Sequence, residues 1–388
     1  MTVEKRTFDV AVVGGGVIGL AIAWRAAVRG LRVAVLDRQR FGDGTSRVAA
    51  GMLAPVTEAR LNQLALLELG IASAALYPGF VGQLQEQSGI DPGYQRYGTL
   101  VVARDPDEAE ALERELAVHQ RLGLDVARLR PSEARRLEPA LAPNIRLALD
   151  VRDDHAVDPR RLTRALAVAA QAAGVAVREG TEVKEVLTRA DRVAGILTVG
   201  GETIQAEHVV IAAGVWTGGL VGIPHEAQIP VHPVKGQVLR LHDPAGPGLV
   251  SRVVRTGGSY LVPRGDGRYV LGATMEERGF DTSVTAGAAF ELLRDASEVV
   301  PGVSELVIDE FTAGLRPATP DGLPVIGAGA VPGLHWAVGH FRNGILLAPV
   351  TAEIVVAELQ GEERPEIAAA FGPARRPALP TPAASVGA

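Results

Sequence analysis

Apolar residues along this chain fall into two rhythms, and their alternation predicts its elements. The first apolar run, residues 8–13, ends in Gly14-Gly15-Gly16-Val17-Ile18-Gly19. An amphipathic stretch over residues 17–29 stops at Gly30, a left-handed C-terminal position. A second apolar run over 31–36 is closed by Asp37. This is strand, helix, strand. Residues 58–88 and 107–122 carry Leu, Ala and Val at helical spacing, and Asp105-Pro106 and Pro131-Ser132-Glu133 read as helix starts. Residues 95–103 read as a strand of a different sheet. Asp158-Pro159 opens an Ala-rich helix that ends at Gly174, followed by a strand over 175–178. Segments 182–187, 192–199 and 203–205 form an antiparallel meander, with turns at Ala190-Asp191 and Gly200-Gly201. A buried strand over 208–213 then ends at Gly214.

Past residue 228 the pattern becomes strand-like throughout: 229–241, 250–254, 260–263 and 269–274, with turns at Thr256-Gly257-Gly258 and Gly265-Asp266-Gly267. A helix over 285–299 and a strand over 305–313 follow. Residues 313–324 read as an irregular loop, 334–338 as a strand, and 339–349 as a glycine-rich segment leading into a helix that runs to about residue 359. Residues 362–388 are rich in Pro, Ala and Arg and lack periodicity, which predicts a flexible tail. The class is therefore α/β: a Rossmann-like domain with a parallel sheet, helices and a β-meander, and a second α+β domain with an antiparallel sheet. The cofactor domain is drawn from 1–85, 150–225 and 310–362, the substrate domain from 86–149 and 226–309, and the tail from 363–388.

The opening unit carries a dinucleotide fingerprint. Gly14 allows the tight turn, Gly16 lets the backbone approach a pyrophosphate, and Gly19 lets the helix pack closely. The helix N-terminus favours the anion, and Asp37 can accept from the ribose hydroxyls. The motif alone leaves FAD and NAD open. The meander leading to an apolar strand with glycine at its end favours FAD, because NAD dehydrogenases continue with plain βα repeats. In residues 41–55, Thr45 and Ser46 are either phosphate donors or parts of a packed loop.

Composition narrows the chemistry. A net charge of −6 over 388 residues argues against nucleic acid as a partner. There is no cysteine, so disulfides, thiolate chemistry and a cysteine-linked flavin are excluded. Residues 46–52 contain no histidine to tether a flavin, which predicts a non-covalent cofactor. The eight histidines show no metal-binding spacing. No uninterrupted run approaches 18 apolar residues and no signal peptide is recognised, so no membrane span and a cytoplasmic location are expected.

Several motifs together point further: Ala49-Ala50-Gly51-Met52-Leu53-Ala54-Pro55, Val215-Trp216, Val234-Lys235-Gly236-Gln237, Tyr260-Leu261-Val262-Pro263-Arg264, Gly272-Ala273-Thr274-Met275, Gly314-Leu315-Arg316-Pro317 and Gly339-His340-Phe341-Arg342-Asn343-Gly344-Ile345-Leu346. With the opening fingerprint, they make residues 8–360 resemble the glycine oxidases of thiamine biosynthesis, a branch of the FAD amine oxidases that also includes D-amino-acid and sarcosine oxidases. The resemblance implies oxidation of a small amine to an imine, with O2 as acceptor. For glycine the products are glyoxylate, ammonia and hydrogen peroxide, and the imine itself can feed thiazole formation. It implies FAD contacts from Gly14, Gly16, Val17, Ile18, Gly19, Asp37, Arg38, Thr45, Ser46, Ala50, Gly51, Met52, Val183, Gly214, Trp216 and residues 340–346. It implies Arg316 as carboxylate anchor, Arg342 as a second electrostatic contributor, Tyr260 as a carboxylate hydrogen-bond partner, and Met52 and Met275 as apolar walls. Alone, each arginine also fits an interdomain ion pair. Hydride transfer from Cα needs no general base, and none is named; His340 reads as structural. Some relatives carry histidine two residues before the tyrosine, where this chain has Gly258. The choice among glycine, sarcosine and D-amino acids, and between oxidase and dehydrogenase, stays open at this level, and an NAD dehydrogenase is the rival class. A homotetramer is implied by resemblance only.

Overall fold

The computed structural model describes residues 7–59 and 61–375. Two eight-stranded sheets organise them. The first is centred on Thr7–Val13, which pairs in parallel with Val33–Leu36 on one side and Thr203–Ile211 on the other. Ala176–Arg178 and Leu334–Val338 extend it in parallel, and Val325–Ala328 closes one edge antiparallel. The period of two along the first strand sets the layers. Val10 and Val12 face a core shared with helices Val17–Val28, Leu64–Ser88, Pro159–Ala172 and Ala348–Leu359, while Ala11 and Val13 face the meander strands Val183–Arg189 and Arg192–Thr198. The central strand is flanked by Val33–Leu36, reached through helix Val17–Val28, and on its other edge by Thr203–Ile211, reached from the meander. That makes the crevice beyond its carboxyl end the place where an open α/β sheet takes its ligand.

The second sheet runs Val307–Ala318, His232–His242, Arg268–Gly272, Tyr260–Pro263, Val253–Arg255, Thr99–Ala103, Leu147–Val151, Ala127–Leu129. One face packs on helix Ala286–Val299 through Leu239, Leu261, Leu271 and Leu292. The other turns Val238, Val262 and Val270 toward Ala50 and Met52. The two domains therefore meet along the small-residue tract.

Several expectations are corrected. The meander's third strand and the buried strand after it are one continuous element, Thr203–Ile211, paired first with the meander and then with the central strand. Residues 313–318 are not loop but the end of Val307–Ala318, which lies antiparallel to His232–His242 with Arg316 opposite Val234. The long partner strand supplies the ladder that Gly and Pro locally conceal. The domain limits at 149/150 and 309/310 both fall inside strands of the second sheet. The helix expected from residue 58 begins at Leu64 after a short turn, whereas the last long helix, Ala348–Leu359, lies where the sequence places it. Leu64–Ser88 is long and apolar enough to cross a membrane, a case the uninterrupted-run criterion missed because Glu68 breaks the run. Here one side of it packs on the core through Leu69, Tyr77, Phe80 and Leu84, and Tyr77 and Ser73 donate to the Ile345 and Leu346 carbonyls. The tail is packed at least to residue 375. Ala368 and Phe371 are buried, and Arg364 and Arg375 donate to backbone carbonyls of Ile326, Leu323 and Pro324. The remainder of that expected tail, 376–388, lies outside the described residues, as do residues 1–6 and 60 of the expected cofactor domain.

Candidate active site

A cleft of about 850 Å³ extends from the crevice at the central strand to the inner face of the second sheet, a size suited to a cofactor-scale ligand. At its first end Gly14 holds φ at +112°, and a Cβ there would lie 2.3 Å from the Ala212 carbonyl oxygen. Gly16 is different. Its φ of −76° suits any residue, and a Cβ would meet only Ser46 Oγ at 3.4 Å. The space in front of it is open cleft, lined by Val17 and Ile18 of the helix's first turn, where N–H groups have no intrahelical acceptor. Such a cradle suits a pyrophosphate. Asp37 faces the same end. Its carboxylate accepts from the Gly15 and Gln39 N–H groups at 2.7 and 2.8 Å. Burial raises its pKa, and these two donors pull it back. The residues therefore fit a dinucleotide.

Arg38 lies over the Trp216 ring at 3.4 Å, and Trp216 packs on Phe280 of the second domain, with ring centroids 4.7 Å apart. Val183 and Gly214 line the same wall, as do Ser46, Ala50, Gly51 and Met52. One expected contact is corrected. Thr45 lines the cleft, but its hydroxyl donates to the Leu315 carbonyl at 2.5 Å, so it is not a free phosphate donor. Ser46 Oγ accepts from the Val17 N–H at 3.0 Å.

The far end gathers residues from distant parts of the sequence. Arg316 projects from its strand above Gly236, where a Cβ would stand 2.4 Å from the guanidinium. Its Nη1 donates to the Thr274 carbonyl at 3.0 Å and to the Lys235 carbonyl at 3.4 Å. Among the described residues no carboxylate lies within ion-pair distance of it. Tyr260 is beside it in the cleft. Burial raises the phenol's pKa, with Arg316 pulling the other way, so the group stays a protonated donor. Arg342 also lines the cleft, but its guanidinium is held by Glu58, which pairs at 2.5 Å with Arg255 as well. Arg342 thus reaches the cleft already paired, and the single Glu58 carboxylate is shared between two guanidiniums. Met52 is a half-buried wall, whereas Met275 is 59% exposed and sits at the rim. Gly258 lines the cleft close to Asp295.

His340, Phe341, Asn343, Gly344 and Ile345 line the wall between the two ends. His340 is buried, shares a 3.0 Å hydrogen bond with Thr351, and has its pKa pushed down to about 3 by burial. Phe341 holds φ at +47°, and its N–H donates to the Pro317 carbonyl, which ties this loop to the strand carrying Arg316. Two residues do not reach the cleft. Gly19 packs the helix onto Gly14, and Leu346 turns its buried side chain toward Gly70 of helix Leu64–Ser88. Sequence reasoning missed Glu58 and Arg255. Glu58 lay in a stretch read as helix, and no local signal distinguishes it; only the fold brings Arg255 and Arg342 to it.

The family model described as DAO, FAD dependent oxidoreductase, matches residues 9–358. The glycine oxidase of Geobacillus kaustophilus is 38% identical over 371 residues, covering 94% of this chain and 96% of that protein. The bifunctional protein ThiO/ThiG of Trichormus variabilis is 35% identical over 90% of this chain, which spans only 52% of that longer protein. The crystal structure of the Geobacillus kaustophilus glycine oxidase superposes with a TM-score of 0.88 at 36% identity, covering 94% of this chain and 98% of that one. The cradle at Gly16 and the cleft behind it suit the FAD that this family carries. The chain belongs to the DAO family of FAD-dependent oxidoreductases, on its glycine oxidase branch.

Proposed function

We propose that this chain oxidises glycine and closely related small amines, converting glycine, O2 and water to glyoxylate, ammonia and hydrogen peroxide. When bound, FAD supplies the two-electron oxidation of the amine to an imine and the delivery of those electrons to oxygen. The chain's own residues bind and orient. The first turn of Val17–Val28 with Gly16 takes the pyrophosphate, and Asp37 takes the ribose. Arg316 clamps the substrate carboxylate bidentately, with the Tyr260 hydroxyl as a further donor. We assign the first sheet and its helices to the cofactor and the second sheet to the substrate.

No general base is assigned. Glu58 is engaged by two arginines, and His340 is held neutral against Thr351. The substrate therefore binds with its amine neutral, and catalysis rests on orientation. A place in thiamine biosynthesis is supported by the motif resemblance and by a relative's fusion under the name ThiO/ThiG. A homotetramer rests on resemblance alone, and light scattering tests it; cell fractionation tests the expected cytoplasmic location.

The observation that carries the reading is the Arg316 guanidinium, set in the cleft with backbone acceptors and no carboxylate partner among the described residues. Arg316→Ala is expected to keep FAD and raise the KM for glycine about 100-fold, the scale of two charge-assisted hydrogen bonds. An unchanged KM would remove Arg316 as the anchor. Gly258 lines the cleft without a side chain, which favours a second reading in which N-methylated amines such as sarcosine are also accepted. Hydrogen peroxide release from glycine, sarcosine, D-alanine, D-proline and L-amino acids ranks the two; no release with any of them, while an artificial electron acceptor is reduced, identifies a dehydrogenase.

A further inference from the structure

The wall formed by Ala50, Gly51 and Met52 is held from behind. Its backbone crosses that of Val157, whose N–H donates to the Gly51 carbonyl at 2.8 Å. The two chains touch there: a Cβ on Gly51 would lie 2.0 Å from the Val157 carbonyl oxygen. Arg264, the residue after strand Tyr260–Pro263 of the second sheet, closes this crossing. Its Nη2 donates to the Ala50 carbonyl at 2.6 Å and its Nη1 to the Val157 carbonyl at 3.1 Å. Its Nε is shielded from solvent with no acceptor. No carboxylate forms an ion pair with it among the described residues, and burial lowers its pKa despite the more distant Asp158. The neighbouring carbonyl, Arg47 O, receives Arg160 and Arg240 instead, and both of those arginines lie against Glu310. Arg264 is thus the one of the three whose charge is spent on backbone carbonyls alone.

Keeping a guanidinium in such surroundings is unfavourable unless its fork geometry is used. Here the fork spans two chains, one of which lines the cofactor cleft, while Arg264 itself does not line it. We propose that Arg264 is a positioning residue for FAD: through the Ala50 carbonyl it fixes the backbone of the Ala50-Gly51-Met52 wall against the bound cofactor. The inference rests on FAD occupying this cleft.

The test compares wild type, Arg264→Met, Arg264→Lys and Gly16→Ala. FAD titration of each apoprotein gives a dissociation constant, the visible spectrum of the bound flavin is recorded, and apoprotein melting tracks the fold. Arg264→Met is expected to weaken FAD binding about tenfold, the scale of one charge-assisted hydrogen bond, to change the shape of the long-wavelength flavin band, and to leave apoprotein melting nearly unchanged. Arg264→Lys, which keeps a donor, recovers part of the affinity. Affinity and spectrum like wild type in Arg264→Met overturn the proposal. So does a loss of apoprotein melting temperature that matches the loss of affinity in both Arg264 variants. Should Arg264→Met fail to fold, Arg264→Lys decides: an altered flavin band with weakened binding supports the role, and wild-type values overturn it. Gly16→Ala separates the two layers of argument. It fits sterically but fills the cradle, so unimpaired FAD binding in Gly16→Ala refutes the cleft reading, whereas impaired binding there with wild-type behaviour of Arg264→Met refutes the Arg264 role alone.

Discussion

At the scale of single residues, environment separates groups that look alike in sequence. Arg316 and Arg342 both stand in irregular apolar motifs. One finds only backbone carbonyls, and the other finds Glu58. Arg316 therefore stands in the cleft with no carboxylate partner among the described residues, the feature on which its proposed role as anchor rests. His340 shows the same principle through its proton. In the unfolded chain it would titrate near 6.5, while burial in the fold holds it near 3. Between these values the unfolded state takes up a proton that the native state does not. This group's stabilising contribution is therefore complete above about pH 6.5 and is lost on acidification, by at most about 1.4 kcal/mol per pH unit. Urea melts of wild type and His340→Asn at pH 7.5, 6.5 and 5.5 should show the wild type losing about 1 kcal/mol more than the variant over the last step. Parallel pH slopes would show that His340 does not titrate in this way. Neither the Glu58 ion pairs nor the burial of His340 can be read from neighbours in the chain, because each depends on partners many residues away.

At the scale of elements, local chemistry was legible wherever a helix announces its own ends. Asp105 and Asp158 cap the helices Pro106–Arg121 and Pro159–Ala172 as their Asp-Pro signatures require, accepting from Glu108 and from Arg160 and Arg161. Asp105→Ala should cost about 1 kcal/mol of stability with turnover unchanged, because the cap is exposed and outside the cleft; denaturant melts and a peroxide assay check both halves. Strands were less legible. Leu147–Val151 and Ala127–Leu129 were passed over, and Val307–Ala318 was cut short at its Gly and Pro residues. A strand is stabilised by its neighbours rather than by its own sequence, and the neighbour of Val307–Ala318 is some seventy residues upstream. The consequence reaches the site: Arg316 is carried by a paired strand, a rigid mount rather than a loop.

At the scale of the whole molecule, the cleft lies between the two sheets, so FAD should act as a ligand of the folded state alone. Adding FAD to apoprotein should raise its melting temperature progressively with concentration. Acid precipitation should leave the yellow colour in the supernatant, since the chain has no cysteine and residues 46–52 no histidine to bind it. Colour that stayed with the pellet would overturn the non-covalent assignment. The domains are joined across the cleft by Glu58 with Arg255 and Arg342, by Arg264 at Ala50, and by Phe280 on Trp216. Contacts of this kind let one cofactor face elements from both.

The sequence by itself determined the fold class, the glycine-rich cradle with Asp37, the helix caps and the identity of the motifs, because each shows in the periodicity of single elements or in residues of one helix end or one strand–helix–strand unit. Only the tertiary structure decided which arginine is free, that Thr45 is committed to Leu315, that residues up to 375 pack onto the first domain, and that Arg264 braces the cofactor wall. These are matters of which groups satisfy one another's charge and hydrogen bonds, and in this molecule the partners are brought together by two sheets whose strands come from opposite ends of the chain.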